Sequence, residues 1–179
     1  GKYHMEIIND RIFTTELLKL RIESNKLRSE SHDHIINWVD NSPFKNSKAT
    51  IVPGKSLTFV LPTKGCKYAM AKHGGCSMCT LPMDNPLNPS SQTIDSLPER
   101  TLEIFNKKGG VDEFRGVKFY TSGSFLDRWE LNEDVRKNIL RKFVDIVDEI
   151  TIETRCEFVN SKNLDDILKV VPAKKLIVG

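Results

Sequence analysis

The sequence predicts an α/β fold, a partial (β/α) barrel behind a helical N-terminal segment. Three observations predict it. Short apolar runs alternate with amphipathic stretches from residue 57 onward, a spacing that calls for parallel strands joined by right-handed crossovers. A long loop holding clustered cysteines follows the first run, where a parallel barrel assembles its sites. The chain stops at Gly179 on a fourth strand with a bare edge, so the expectation is the N-terminal part of a longer barrel. Residues 1–55 are expected to form the helical segment and linker, and residues 56–179 the barrel core.

Taken in order, residues 14–39 read as helical. Thr14 can cap, Leu17, Leu18 and Ile22 share one face, and Ile35, Ile36, Trp38 and Val39 form a second apolar group. Residues 40–55, with Pro43 and Pro53-Gly54, read as a linker. Residues 57–61 form the first strand, and residues 62–95 a loop long enough to be functional. Ser96 with Glu99 reads as a capping box for a helix through Leu102, Ile104 and Phe105, which Gly109-Gly110 ends. Residues 117–121 are the second strand. Asn132 caps a helix whose apolar positions are Val135, Ile139, Leu140, Phe143 and Val147. Residues 150–154 are the third strand, Leu164, Ile167, Leu168 and Val171 mark a helix, and residues 176–178 the fourth strand.

Composition is that of an ordinary globular chain, 39% hydrophobic and 28% charged. No apolar run approaches the roughly 20 residues of a membrane helix, and no secretory signal is visible, so a cytoplasmic location is expected. Four cysteines in such a chain do not read as a disulfide framework. The net charge of +3 is uneven: between Asp40 and Asp84 there is no carboxylate, while six lysines give +6. Lys64, Lys67 and Lys72 flank the clustered cysteines, which makes an RNA backbone a natural partner and a solvated loop the plain alternative.

The chemistry centres on Cys66-x9-Cys76-x2-Cys79. Three thiolates can hold three irons of a [4Fe–4S] cluster and leave the fourth open to a small molecule. With His73 the same cysteines could instead close a Cys3His zinc site, and spacing alone does not separate the two. Two features favour the cluster. Thr121-Ser122-Gly123-Ser124 ends the second strand with small residues that admit close approach, and Glu153 and Arg155 end the third with ionisable ones. Cys156 reads as a buried inert thiol, Trp38 and Trp129 as packing residues, and Asp127 and Arg128 as surface charges.

The CxMC ending, the spacing of nine, the SGSF turn and the IETR strand end together resemble radical S-adenosylmethionine enzymes. Within them the chain is most similar to the archaeosine-forming radical enzymes that act on tRNA, through GGC-x-MC and SGSFLD, and more distantly to the catalytic subunit of Elongator. The likeness covers about residues 57–179. It implies that Cys66, Cys76 and Cys79 ligate the cluster and that Met78 packs near the adenine of S-adenosylmethionine. It further implies that the Ser122, Gly123 and Ser124 backbone receives the methionyl amine, and that Glu153 and Arg155 make polar contacts to the cofactor. The implied reaction is reductive cleavage of S-adenosylmethionine. The radical so formed breaks a C–N bond in a lysine-modified 7-deazaguanine of tRNA, a lyase activity that leaves archaeosine. The implied partners are tRNA, a lysine-transferring archaeosine synthase and an electron donor such as a ferredoxin or flavodoxin.

Overall fold

A computed structural model describes residues 15–17, 19, 20, 23, 33–41, 43–45, 51–69, 71, 76, 79, 86 and 88–179. Its strands are β1 (Ile36–Asp40), β2 (Phe44–Lys45), β3 (Ile51–Val52), β4 (Ser56–Val60), β5 (Gly116–Tyr120), β6 (Glu149–Ile152) and β7 (Leu176–Val178). From residue 88 onward its α-helices are α1 (Ser91–Asp95), α2 (Leu97–Lys107), α3 (Glu133–Phe143) and α4 (Ser161–Leu168), and the described residues 15–17, 19, 20 and 23 are also helical. The main sheet has the order β1-β4-β5-β6-β7. β4 to β7 are parallel neighbours in chain order, as the alternation of apolar runs and helices requires, and β1 lies antiparallel on the edge of β4. The chain is therefore an α/β protein built on a mostly parallel sheet. Among the described residues no helix is long and apolar enough to cross a membrane.

The alternation along each strand decides where the core sits. Leu57 and Phe59, Val117 and Phe119, and Ile150 and Ile152 are all buried in one apolar cluster with Leu97, Phe105, Ile139 and Ile167 from the helices. Phe143 of α3 closes that cluster, its ring 5.3 Å from Phe105, 5.4 Å from Phe119 and 6.1 Å from Phe59. The Asn132 side chain accepts the Val135 amide at 2.9 Å, so α3 starts where its cap places it. Glu133 and Asp134 in its first turn and Arg141 and Lys142 in its last complement the helix dipole. Gly109, at φ 118°, ends α2 in the left-handed region that only glycine takes cheaply.

Three local expectations are corrected. Residues 36–40 form a strand, not the second half of a helix. Ile36, Trp38 and Val39 suit a pleated edge, and pairing with β4 outweighs their helix-like spacing. Lys118 pairs with Asp40, and Trp38 sits 6.3 Å from Tyr120, which fixes the register. The expected linker contains the two-stranded β2–β3 ladder. Ser96 does not cap α2: it has helical backbone angles, and its hydroxyl donates to the Thr93 carbonyl at 2.9 Å. The cap lies six residues earlier, where Ser90 accepts the Thr93 amide at 3.0 Å and starts α1, while Glu99 pairs with Lys142 of α3.

Candidate functional site

The ends of β4, β5 and β6 bring one constellation together. Leaving β4, the chain turns at Gly65, with φ 89°, and delivers Cys66 half-buried beside the end of β5. Gly123 is the reason it fits there. A Cβ at Gly123 would lie 2.8 Å from the Cys66 Cα and 2.5 Å from a Glu130 oxygen, so only glycine lets the two segments approach so closely. From β6, Arg155 donates its amide to the Ser124 hydroxyl at 2.7 Å and its guanidinium to the Cys66 sulfur at 3.6 Å. The same guanidinium stacks over Tyr68 at 4.7 Å and pairs with Glu157 at 2.6 Å. Burial works against the Arg155 charge, and Cys66 and Glu157 more than restore it.

Glu130 was invisible to sequence reasoning and organises the other half. It is 3% exposed. One of its oxygens accepts the Thr63 hydroxyl at 2.7 Å and the Gly123 amide at 3.1 Å, and the other accepts the Ser124 amide at 2.7 Å. Burial pushes its carboxyl above the usual range, and the Ser124, Thr63, Thr121 and Gly123 donors pull against that rise. Its position follows from a tight turn in which the Glu130 and Leu131 amides both return to the Asp127 carbonyl. From α3, the fully buried Arg136 donates to the Leu126 carbonyl at 2.9 Å and braces that turn. The only sequence signal was an acid a few residues past the SGSF turn and just before a capped helix.

Between these groups lies a cavity of about 270 Å³ lined by Cys66, Lys67, Gly123, Ser124, Glu130 and Arg155, with Tyr68 and Phe158 as apolar wall. Of the site residues expected from the sequence, five therefore share one cavity. Ser122 is buried in the turn next to them. Glu153 is half-buried outside the lining, beside Gly179, where a Cβ would meet its carboxylate at 2.9 Å. Lys64 is exposed, its ammonium 5.2 Å from the centre of the Trp129 ring. Met78, Lys72 and His73 lie outside the described residues.

Two further expectations change. Asp127 is buried, not a surface charge, and accepts the Trp129 amide at 2.9 Å. Cys156 is exposed, its thiol 3.8 Å from Glu157. Trp38 and Trp129 are packing residues, as expected, though partly exposed: Trp38 lies against Tyr120 and Trp129 under Lys64.

Cys66, Cys76 and Cys79 form no disulfide, and three cysteines are a donor set whose chemistry suits soft metals and iron–sulfur clusters. The Cys79 amide donates to the Cys76 carbonyl at 3.2 Å, a turn that keeps these two close in the chain. Among the described residues no three metal-binding side chains are gathered into one site. The described geometry places Cys66 at the cavity.

Comparison with known proteins gives the context. No family profile matches the chain, and no solved structure matches it. An uncharacterised protein of Methanocaldococcus jannaschii is 33% identical over 169 residues, 92% of this chain and 44% of that relative. A Thermococcus kodakarensis protein named archaeosine synthase subunit beta is 34% identical over 130 residues, 71% of this chain and 39% of its own length. The Methanosarcina acetivorans protein of the same name is 31% identical over 125 residues, 69% of this chain and 35% of its own. The chain spans less than half the length of each of these relatives. Over most of its own residues, it is related in sequence to proteins named archaeosine synthase subunit beta.

Proposed function

We propose that the chain takes part in archaeosine formation in tRNA as the cofactor-binding part of a radical S-adenosylmethionine enzyme of partial-barrel type. The observation that carries this reading is the juxtaposition at the strand ends. A cysteine of the three-thiol motif stands over the SGSF turn, with Arg155 against its sulfur, in a chain related to archaeosine synthase beta subunits. A [4Fe–4S] cluster bound by Cys66, Cys76 and Cys79 would supply one electron to the sulfonium of S-adenosylmethionine, splitting it into methionine and a 5′-deoxyadenosyl radical.

The protein's part is binding and orientation. Gly123 keeps the turn tight against Cys66, so a ligand in the cavity is held next to the motif. Arg155 offers a fixed cation, locked by Tyr68 and Glu157, for a carboxylate. Tyr68 and Phe158 give the cavity an apolar wall. The charges of Lys64, Lys67 and Lys72 in the cysteine-bearing stretch would attract the tRNA backbone. The radical would cleave the C–N bond of a lysine-modified 7-deazaguanine. A lysine-transferring archaeosine synthase and an electron donor of ferredoxin or flavodoxin type would complete the system in the cytoplasm.

The test is anaerobic purification with iron, sulfide and zinc analysis, followed by assay for 5′-deoxyadenosine. Near-equal iron and sulfide with a visible chromophore is the expected result. One colourless zinc per chain would overturn the radical reading in favour of a structural metal.

A further inference from the structure

The segment after the SGSF turn sorts its side chains by charge. Asp127 and Glu130 are buried and line the cavity, whereas Arg128 and Trp129 between them are exposed, Trp129 to 39%. Both carboxylates are engaged within the fold. Asp127 accepts the Trp129 amide, and Glu130 accepts the Thr63 hydroxyl and the Gly123 and Ser124 amides. What this segment offers to solvent is a cation and an indole. The Thr63–Glu130 hydrogen bond also holds the segment after β4 alongside, and Lys64, the next residue, rests its ammonium 5.2 Å from the centre of the Trp129 ring.

Many cations of the described body are neutralised by the fold itself. Lys55 pairs with Glu113, Arg115 with Asp148, Lys142 with Glu99 and Arg155 with Glu157. Lys64 and Arg128 pair with no carboxylate among the described residues. Trp129 belongs neither to the core cluster nor to the partly buried side chains packed on it. An exposed indole beside two unneutralised cations joins a flat apolar surface to positive charge, the complement of a nucleotide's base and phosphate. We propose that Trp129 is a stacking platform for an unpaired RNA base beside the cavity, with Lys64 and Arg128 on the adjoining phosphates. This rests on the reading of the chain as acting on tRNA, and names a residue that would read it. Unstacked bases on aromatic side chains are the ordinary means of recognising RNA loops.

The test uses the full chain purified anaerobically. It has two tryptophans, so Trp38→Phe leaves Trp129 as the sole indole and keeps an aromatic ring against Tyr120. Titration of this variant with tRNA, and with a short single-stranded oligoribonucleotide, is expected to quench the Trp129 emission. An abasic strand of equal charge is expected to leave it unchanged. Trp129→Ala should weaken tRNA binding about tenfold, within the range of one lost base stack. Its salt slope should stay at the wild-type value, because no phosphate contact is removed. Trp129→Phe should recover most of the affinity. If Trp129→Ala does not fold, the emission titration decides alone. Binding of tRNA with the Trp129 emission unchanged, or equal quenching by the abasic strand, would overturn the platform and leave the tRNA reading standing. If wild type binds no tRNA, that reading itself fails and the platform falls with it.

Discussion

The two segments that meet at the cavity are built on opposite plans. The turn after β5 is tied down at nearly every polar atom: Thr121, Ser122, Ser124, Asp127 and Glu130 are all buried, and Arg136 braces the turn from behind. The loop after β4 is anchored at its start by the buried Thr63 and the half-buried Cys66. Tyr68 and Cys76 are exposed, and Cys79 is half-buried. The difference teaches a division of labour. A wall that a ligand must lean on is best satisfied internally, whereas thiols that must bind a metal are useful only where they remain accessible.

The sharpest way to break that comparison is at the accessible thiols. Cys76→Ala is expected to abolish cluster retention and 5′-deoxyadenosine formation. Cys76 is exposed and outside the core cluster, so against cluster-free wild type thermal unfolding should move by no more than about 0.5 kcal/mol in stability. A variant that still yields 5′-deoxyadenosine at the normal rate would show that Cys76 is not a ligand.

At the junction of the two segments the expectation reverses, and structure suffers first. Gly123→Ala places a methyl 2.8 Å from the backbone of Cys66, which has no flexible end to yield. The cost should be about 1–3 kcal/mol, as for other overpacked sites, read as a lowered midpoint in urea unfolding. S-adenosylmethionine affinity should fall with it. Unchanged stability would mean that the two segments are not held in the contact described.

Arg155 sharpens the same boundary from the β6 side. Arg155→Lys keeps the charge but loses the stack on Tyr68 and the fork that reaches both Glu157 and the Cys66 sulfur. The expected result is about tenfold weaker S-adenosylmethionine binding in calorimetry, with the fold intact. Affinity equal to wild type would remove Arg155 from the site.

How much of this could be read beforehand depends on whether the signal is local. The four parallel strands were legible because each is a short, largely apolar run between turn signals, and Asn132 announced its helix by its own side chain. β1 was not, because Ile36, Trp38 and Val39 fit a helical face equally well and only pairing with a distant strand decides. The cap at Ser90 was hidden by the better-looking signature at Ser96. Within the site, Cys66 and the small-residue turn declared themselves by residue type and spacing. Glu130 and Asp127 did not. Their burial is created by a turn that folds back on itself and by a guanidinium from α3, relations that no single stretch of sequence contains.

The smallest expected effect concerns the lysines of the cysteine-bearing stretch. Replacing Lys64, Lys67 and Lys72 together by Gln should weaken tRNA binding and flatten the dependence of log affinity on log salt. The slope should change by about 0.7–0.9 for each phosphate that the lysines no longer neutralise. Filter binding over a salt series measures it. Lys55 supplies the control from the same carboxylate-free stretch, because its ammonium is already paired with Glu113 at 2.9 Å. A lysine neutralised by its own fold displaces few counterions from RNA, so Lys55→Gln should leave the slope nearly unchanged. If Lys55→Gln flattens the slope as much as the triple replacement does, the attraction belongs to the overall charge of the stretch. If neither does, the RNA is held elsewhere, and the accessible side of the cavity serves the cofactor alone.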